Sequence, residues 1–494
     1  MAKPGVSQIE HVIVLMLENR SFDHLLAYSG IPGLKGVDTS KANPGPSGSV
    51  AMSDRAPDRA RSDPGHEFED VDWQLYQAPR VPSPRPIVLT GFVDTGGASV
   101  MRCASPARVP VLTHLARNFL VCDQWFSSMP GPTWPNRFFV HAGSSGGLAN
   151  SPSIPTMLGS MTVSALGFSF QNGTIFDRLT RARKTWRVYH GDHFPQVCAI
   201  TGMSSIFVGG THQFRPQKRF AADVARGDVA HYTFIEPKYS IFTSFRRGDS
   251  QHPAGTLSAG ERLIAEVSNA LMSSPVWMTS LLLIFYDEHG GFYDQLEPDV
   301  ATPPGDDSRN AEKAQNPPNP PFGFDRLGIR VPAVVVSPWV KPGCISSQVY
   351  DHASVIRTVF ELFGLPGFLT RRDRDAKSLK SELLSTPVTE TPALLPKPPR
   401  SGSGAGNLPP RPPSSGTLNG FTRIAVLVDH ALRKYQAHVS TGSLPETLGR
   451  VVGLTDNLTY LDLPRVQDPR QALRYMRRVA SAFDKHRTQQ ESAG

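Results

Sequence analysis

Three places in the sequence set side chains capable of chemistry directly behind segments built for burial. Residues 11–17, HVIVLML, run into Glu18, Asn19 and Arg20. Residues 280–286, SLLLIFY, run into Asp287 and Glu288, with Gly290 and Gly291 behind them to turn the backbone sharply. Two adjoining carboxylates at a sheet edge repel each other unless a cation lies between them. Glu18, the Asn19 carbonyl oxygen, Asp287 and Glu288 together make an oxygen-rich set suited to a divalent ion that polarises a phosphoryl oxygen. The third place is SSMPGPTWPNRFFVHAGSSGG, residues 127–147, where Thr133 precedes a run, Pro135 to Ala142, that reads as a short helix ended by Gly143. A threonine near a helix N-terminus is either a cap or a nucleophile whose alkoxide, with a phosphate beside it, is stabilised by the positive end of the dipole. Taken singly, the plainer readings are a cap for Thr133 and a loop ion pair for Glu18.

The elements that must position these groups follow from the same runs. HVIVLML, SLLLIFY and VPAVVV, residues 331–336, are continuous aliphatic runs without alternation, as suits strands covered on both faces of a parallel sheet. The polar residues at their ends, including Ser337 and Pro338, are therefore expected beyond the carboxyl ends of strands, where open α/β sheets bind ligands. A length of 494 residues, with 39% hydrophobic and 19% charged residues, gives a globular chain with a large core. Its formal charge of +8 favours anionic partners, yet no nucleic-acid-binding spacing is present, so nucleic acid is not expected. The four cysteines form no C-x-x-C pair. The apolar run near the N-terminus is too short for an export signal or a membrane span, which gives a cytoplasmic or peripheral-membrane expectation, with signal-independent export left open. Residues 396–417, rich in Pro, Gly and Ser, read as a linker between a domain at 1–395 and a C-terminal region at 418–494 whose apolar residues fall at helical spacing. Those helices are expected to cap the main domain in preference to lying on a membrane.

Five segments in order, IEHVIVLMLENRSFDHLLAY, FSSMPGPTWPNR, YDEHGGFYD, GIRVPAVVVSPWV and YDHASVIRTVFELFGL, resemble the phosphoesterase family. That family includes bacterial phosphatidylcholine-type phospholipases C, plant non-specific phospholipases C and related acid phosphatases. The resemblance runs from about residue 9 to about residue 375. It implies an α/β fold similar to that of alkaline phosphatases: a mixed, mostly parallel sheet sandwiched between helices. It further implies Glu18, Asn19, Asp287 and Glu288 as ligands of a divalent metal of unspecified identity. Thr133 would be both a metal ligand and the nucleophile that forms a covalent phospho-enzyme. The expected activity is phospholipase C-type hydrolysis of phospholipid phosphodiesters; a broad phosphomonoesterase and a non-catalytic lipid-binding module are the alternatives.

His66, His252, His289 and His352 fall in stretches that resemble the family's histidine-bearing segments, and each could hold phosphoryl oxygens or protonate the leaving alkoxide. Arg20 and Arg137 sit within motifs as phosphate binders or as ion-pair partners. Trp125, Phe126 and Trp134 could line an apolar entrance. After GFYD many relatives carry histidine where this chain has Gln295, which can hydrogen-bond a phosphate oxygen but cannot act as an acid. HGDH at 190–193 is a weak metal pair, and GSSGG at 143–147 lacks the ending of a phosphate-binding P-loop.

Overall fold

The computed structural model describes residues 9–78, 85–152, 161–162, 167–210, 212–310, 321–390, 394–400, 415–440, 460–461 and 469–493. Its centre is one sheet of eight strands: β1 His11–Leu17, β2 Leu120–Cys122, β3 Trp186–His190, β4 Phe214–Pro216, β5 Tyr232–Glu236, β6 Ser280–Tyr286, β7 Ala333–Val336 and β8 Ile345–Ser346. Their spatial order is β8-β2-β7-β6-β1-β5-β3-β4. β6, β1, β5, β3 and β4 run parallel, and β7 runs antiparallel to both of its neighbours. The central strands are sealed on both sides, as their unbroken aliphatic runs require; Ile13, Val14, Leu15, Met16 and Leu17 are fully buried.

Among the helices are α1 Phe22–Leu26, α2 Phe68–Tyr76, α3 Pro110–Asn118, α4 Thr133–Ala142, α5 Leu257–Met272, α6 Ala353–Phe363, α7 Ser415–Ser440 and α8 Pro469–Ala493. They cover both faces. His141 of α4 sets its ring 4.7 Å from Phe234 of β5, and His352, just ahead of α6, lies 5.1 Å from Phe285 of β6. Tyr286, one residue on and so facing the other way, donates to Gln251 on the segment leading into α5.

One direction differs from the expectation. VPAVVV forms β7 with Val336 opposite Leu282, so Ser337 falls beside the start of β6 and donates to Ser280 O at 2.7 Å. Its polar end therefore lies at the sheet edge opposite Glu18 and Asp287. An aliphatic run records burial on two faces but not the sense in which the strand is traversed. Helix α4 also starts at Thr133, two residues before the run read from sequence, and Gly143 ends it in the left-handed conformation at φ 65°.

Residues 401–414 of the Pro/Gly/Ser-rich stretch lie outside the described residues, and α7 begins at Ser415. Both C-terminal helices pack on the main body. Phe421 is fully buried with its ring 5.8 Å from Trp134 and 5.7 Å from Tyr239, and Phe483 of α8 stacks on Phe207 at 4.4 Å. Phe421→Leu keeps the apolar volume but loses both aromatic pairs, so it is expected to lower stability by about 1–2 kcal/mol, read from the urea midpoint at unchanged slope.

Candidate active site

Register brings the first two chemistry-bearing segments together. Leu17 pairs with Tyr286, so Glu18 and Asp287 leave adjacent strands side by side. Three backbone bonds lock the exits: Asp287 N donates to Leu17 O at 3.2 Å, Arg20 N to Glu288 O at 2.9 Å, and Glu18 N to Ser250 O at 2.9 Å. Asn19 takes φ 59°, a conformation that costs a non-glycine residue energy and recurs where the surroundings impose it on functional grounds. Gly290 is what permits that turn. It has φ +64°, and a Cβ there would stand 2.3 Å from the Asn19 carbonyl oxygen and 2.8 Å from Asn19 Cβ. Gly290→Ala is therefore expected to push Asn19 out of place at a cost of about 1–3 kcal/mol. The urea denaturation midpoint should fall accordingly.

The third segment reaches the same point through Arg137. Its Nε lies 3.2 Å from Asp287 Oδ2 and an Nη donates to Leu17 O at 3.3 Å. Thr133 is four residues earlier on α4, so it shares that face one turn, about 5.4 Å, nearer the helix start. The cap is Pro132 and not Thr133. The half-buried Thr133 hydroxyl makes no hydrogen bond among the described residues, which leaves it free for chemistry. Asn136 shapes the loop in front of it, donating to Gly131 O and Pro132 O at 3.0 and 3.1 Å and accepting from Met129 N at 3.1 Å.

The carboxylates differ in what they have left to offer. Asp287 Oδ1 accepts from Asn19 N at 2.9 Å and Glu288 N at 2.8 Å while Oδ2 faces Arg137, so the chain itself already satisfies much of Asp287. Glu18 Oε2, Glu288 Oε1 and Asn19 Oδ1 are buried without a partner. Orphaned buried oxygens cost free energy, and three in one cluster fit an oxygen-preferring divalent cation. Among the described residues no group of three His, Cys, Asp or Glu side chains forms a ready metal site, and Arg137 and backbone N–H groups hold Asp287. Burial pushes the Glu18 carboxyl well up, Arg137 opposing and Asp287 reinforcing. Burial likewise carries Glu288 up to about 7, against the pull of His66. Acids forced toward neutrality by burial gain most from a cation.

The four histidines separate by what their ring nitrogens hold. His352 is fully buried, with Nε2 2.6 Å from Asp287 O and Nδ1 accepting from Trp125 Nε1 at 3.1 Å. It positions Asp287, and both of its ring nitrogens are taken up by the chain itself. His289 is similarly spent, with Nε2 2.7 Å from Gln74 Oε1 and Nδ1 3.4 Å from Glu288 Oε2. Burial holds both rings neutral, at about 3.

His66 Nδ1 donates to Pro64 O at 2.7 Å, and Nε2 lies 3.2 Å from Asn19 Nδ2. Burial opposes its cation, but Glu288, Asp63 and the Pro64 carbonyl outweigh it and raise the ring to about 10. His252 stacks on Phe245 at 4.0 Å and accepts from Ala254 N at Nδ1, so its proton sits on Nε2, whose nearest charged partner is Asp63 at 3.8 Å. Burial lowers His252 to about 4, which makes it a neutral N–H donor and not a source of protons.

Several sequence readings end here. Trp125, Phe126 and Trp134 are buried core residues and do not line an entrance. Gln295 spends its amide on Asp23 and on Asp38 N, away from the acidic cluster. Among the described residues Arg20 pairs with no carboxylate; it donates to Gln251 O at 2.8 Å and lies over the Phe292 ring at 4.7 Å. Sequence reasoning missed Ser250, which hydrogen-bonds Glu18, and Tyr239, whose ring lies 5.2 Å from the Arg137 guanidinium. The SQHPAG stretch drew notice for its histidine alone.

The model of the Phosphoesterase family matches residues 9–366, a span that contains every group just described. The chain belongs to the phosphoesterase family. This phosphoesterase is 35% identical over 418 residues to non-specific phospholipase C6 of Arabidopsis thaliana, covering 79% of this chain and 75% of that one. It is 27% identical over 395 residues to the non-hemolytic phospholipase C of Pseudomonas aeruginosa, covering 73% of this chain and 55% of the relative. Among solved structures, a protein in the alkaline phosphatase superfamily from Vibrio parahaemolyticus aligns with 71% of this chain and 76% of its own, at 12% identity and a TM-score of 0.32. Its family membership makes this phosphoesterase a hydrolase of phosphate esters.

Proposed function

We propose that the protein cleaves phospholipid phosphodiesters in the manner of a phospholipase C, with Thr133 as the nucleophile and a divalent cation as its cofactor. The observation that carries this reading is the unpartnered Thr133 hydroxyl one turn from Arg137, whose guanidinium is fixed to the acidic cluster. Glu18, Asn19 and Glu288, with Asp287 and Thr133 beside them, would hold the cation, and it would supply charge neutralisation at phosphorus and a lowered hydroxyl pKa.

The chain's own groups account for the remaining steps. Thr133 releases its hydroxyl proton to solvent as Oγ1 bonds to phosphorus, and the bond to the diacylglycerol oxygen breaks. His66 delivers a proton to the leaving alkoxide, so the products of this step are diacylglycerol and a threonine phosphodiester bearing the head group. Water then attacks that phosphorus, passing a proton to the His66 ring, and the phosphorylated head group leaves as Thr133 Oγ1 takes a proton back from solvent. His252 Nε2–H and the free buried Nη1 of Arg137 offer hydrogen bonds to the phosphoryl oxygens throughout. The 35% identity to a non-specific phospholipase C supports a phospholipid over a simple monoester.

The test compares p-nitrophenyl phosphate, p-nitrophenylphosphorylcholine and phosphatidylcholine vesicles on the purified protein. Cleavage of both diesters is expected, and monoester turnover alone would reject the phospholipase reading. Incubation with a strong chelator is expected to lower turnover at least ~100-fold, with recovery on adding back a divalent ion. Full activity in chelator after exhaustive dialysis would remove the cation from the proposal.

A further inference from the structure

We propose that the outward face of α8, together with the adjoining carboxyl ends of β3 and β4, docks the protein on an anionic lipid surface and so presents that surface to the site at the ends of β1 and β6. This inference rests on the phospholipase reading. Along α8, Ala472, Tyr475, Met476, Val479, Ala480 and Phe483 are buried against the body. The exposed positions Arg474, Arg477, Arg478 and Lys485 recur at helical spacing on the other side. Between Gln471 and Gln489 the one carboxylate is Asp484, which faces His193 at 3.5 Å and Arg487 at 3.9 Å. The stripe is thus predominantly cationic, with Asp484 its single interspersed acid, unlike an ordinary solvated helix face, where both signs alternate.

The stripe borders a mixed-charge cavity in the body. Phe483 and Arg487 wall a cavity of about 420 Å³ with His190, Lys218 and Lys238 at the ends of β3, β4 and β5. Lys218 and Lys238 form no ion pair among the described residues, and the carboxyls that share the wall with them are Asp192, Asp249 and Glu266. Arg477 lies over the Phe242 ring at 5.7 Å, on the segment that goes on to supply Ser250 and His252 to the site. β1, β5, β3 and β4 are consecutive parallel neighbours, so their carboxyl ends share one edge of the sheet. Three strand spacings place the cavity roughly 15 Å from Glu18, well within the footprint of one protein on a bilayer. Charge of this sign, on the edge that also carries a phosphoester site, matches the surface of an anionic membrane.

The experiment measures partitioning of the full chain, in a Thr133→Ala background that leaves lipid intact, onto vesicles of phosphatidylcholine with and without roughly a third phosphatidylglycerol. The face variant is Arg474→Glu with Arg478→Glu. The control is Arg181→Glu with Arg183→Glu, an equal charge change just ahead of β3 and so at the opposite sheet edge. Stronger binding to the anionic vesicles is expected, reduced at least ~10-fold by the face variant and unchanged by the control. With Thr133 restored, both variants should cleave soluble p-nitrophenylphosphorylcholine at the wild-type rate. Partitioning that ignores phosphatidylglycerol, or that falls equally in both variants, overturns the proposal; so does binding to duplex DNA without binding to vesicles. If the face variant loses vesicle binding while wild type fails to cleave the soluble diester, docking stands and the phospholipase reading falls.

Discussion

Thr133→Ala is expected to lower kcat/KM by at least ~10³-fold, equivalent to roughly 4 kcal/mol of lost transition-state stabilisation, because no other hydroxyl shares the α4 face with Arg137 one turn from the acidic cluster. Substrate binding and stability should barely change. The side chain holds no hydrogen bond whose loss would be felt, and alanine is the better helix former. Thr133→Ser, which keeps the hydroxyl, should retain measurable turnover. Acid-quenched single turnovers separate nucleophile from bystander: phosphorus should be trapped on residue 133 in wild type and on no residue in the alanine variant. Undiminished turnover by Thr133→Ala would remove the phospho-threonine step, whatever the substrate.

The second large effect lies behind the site and concerns stability. Arg330 has no exposure; it pairs with Asp23 at 2.9 Å and Asp294 at 3.0 Å, donates to Lys35 O at 2.7 Å and Asp123 O at 3.0 Å, and lies over the Phe22 ring at 4.2 Å. One cation therefore ties α1, the turn after Tyr293, the end of β2 and the approach to β7. Arg330→Leu fills part of the volume but strands two buried carboxyls, at an expected cost of about 3–5 kcal/mol. Equilibrium denaturation would register this, and a loss below 1 kcal/mol would show that the cluster contributes specificity and not stability.

The same cluster gives a pH dependence with a definite sign. Burial, reinforced by Asp294 and opposed by Arg330, pushes Asp23 up to about 7. The native state then keeps a proton that the unfolded chain has already released, so this group's contribution is fully present below the ordinary carboxylate pKa and is lost as pH rises toward 7. Asp23→Asn, measured across that interval, should flatten the decline.

The residues themselves show how far sequence reasoning reached. Glu18, Asn19, Asp287 and Glu288 were legible because an unbroken aliphatic run that stops at a charged pair announces a strand leaving the core, and Leu17 opposite Tyr286 does bring the two exits level. Thr133 was legible as a residue at a helix start; its face was not, since that depends on Arg137 meeting a carboxylate 150 positions away. His352 and His289 were legible as candidate histidines because imidazole types and neighbours are visible in sequence, whereas the partners their nitrogens meet, Trp125 and Gln74, come from remote segments.

What the chain determined unaided is therefore local: which runs are buried on two faces, where each run ends, that Gly290 and Gly143 take conformations closed to other residues, and that the tail is amphipathic. Tertiary structure alone decided that β7 runs backwards, that Asp287 is held by Arg137, that Ser250 joins the acidic cluster, and that Phe421 rests on Trp134 beside Thr133. The division has a physical cause. Burial and backbone preference are properties of a residue and its near neighbours, but strand direction and side-chain partnership are fixed by packing between segments that meet only when the whole core closes.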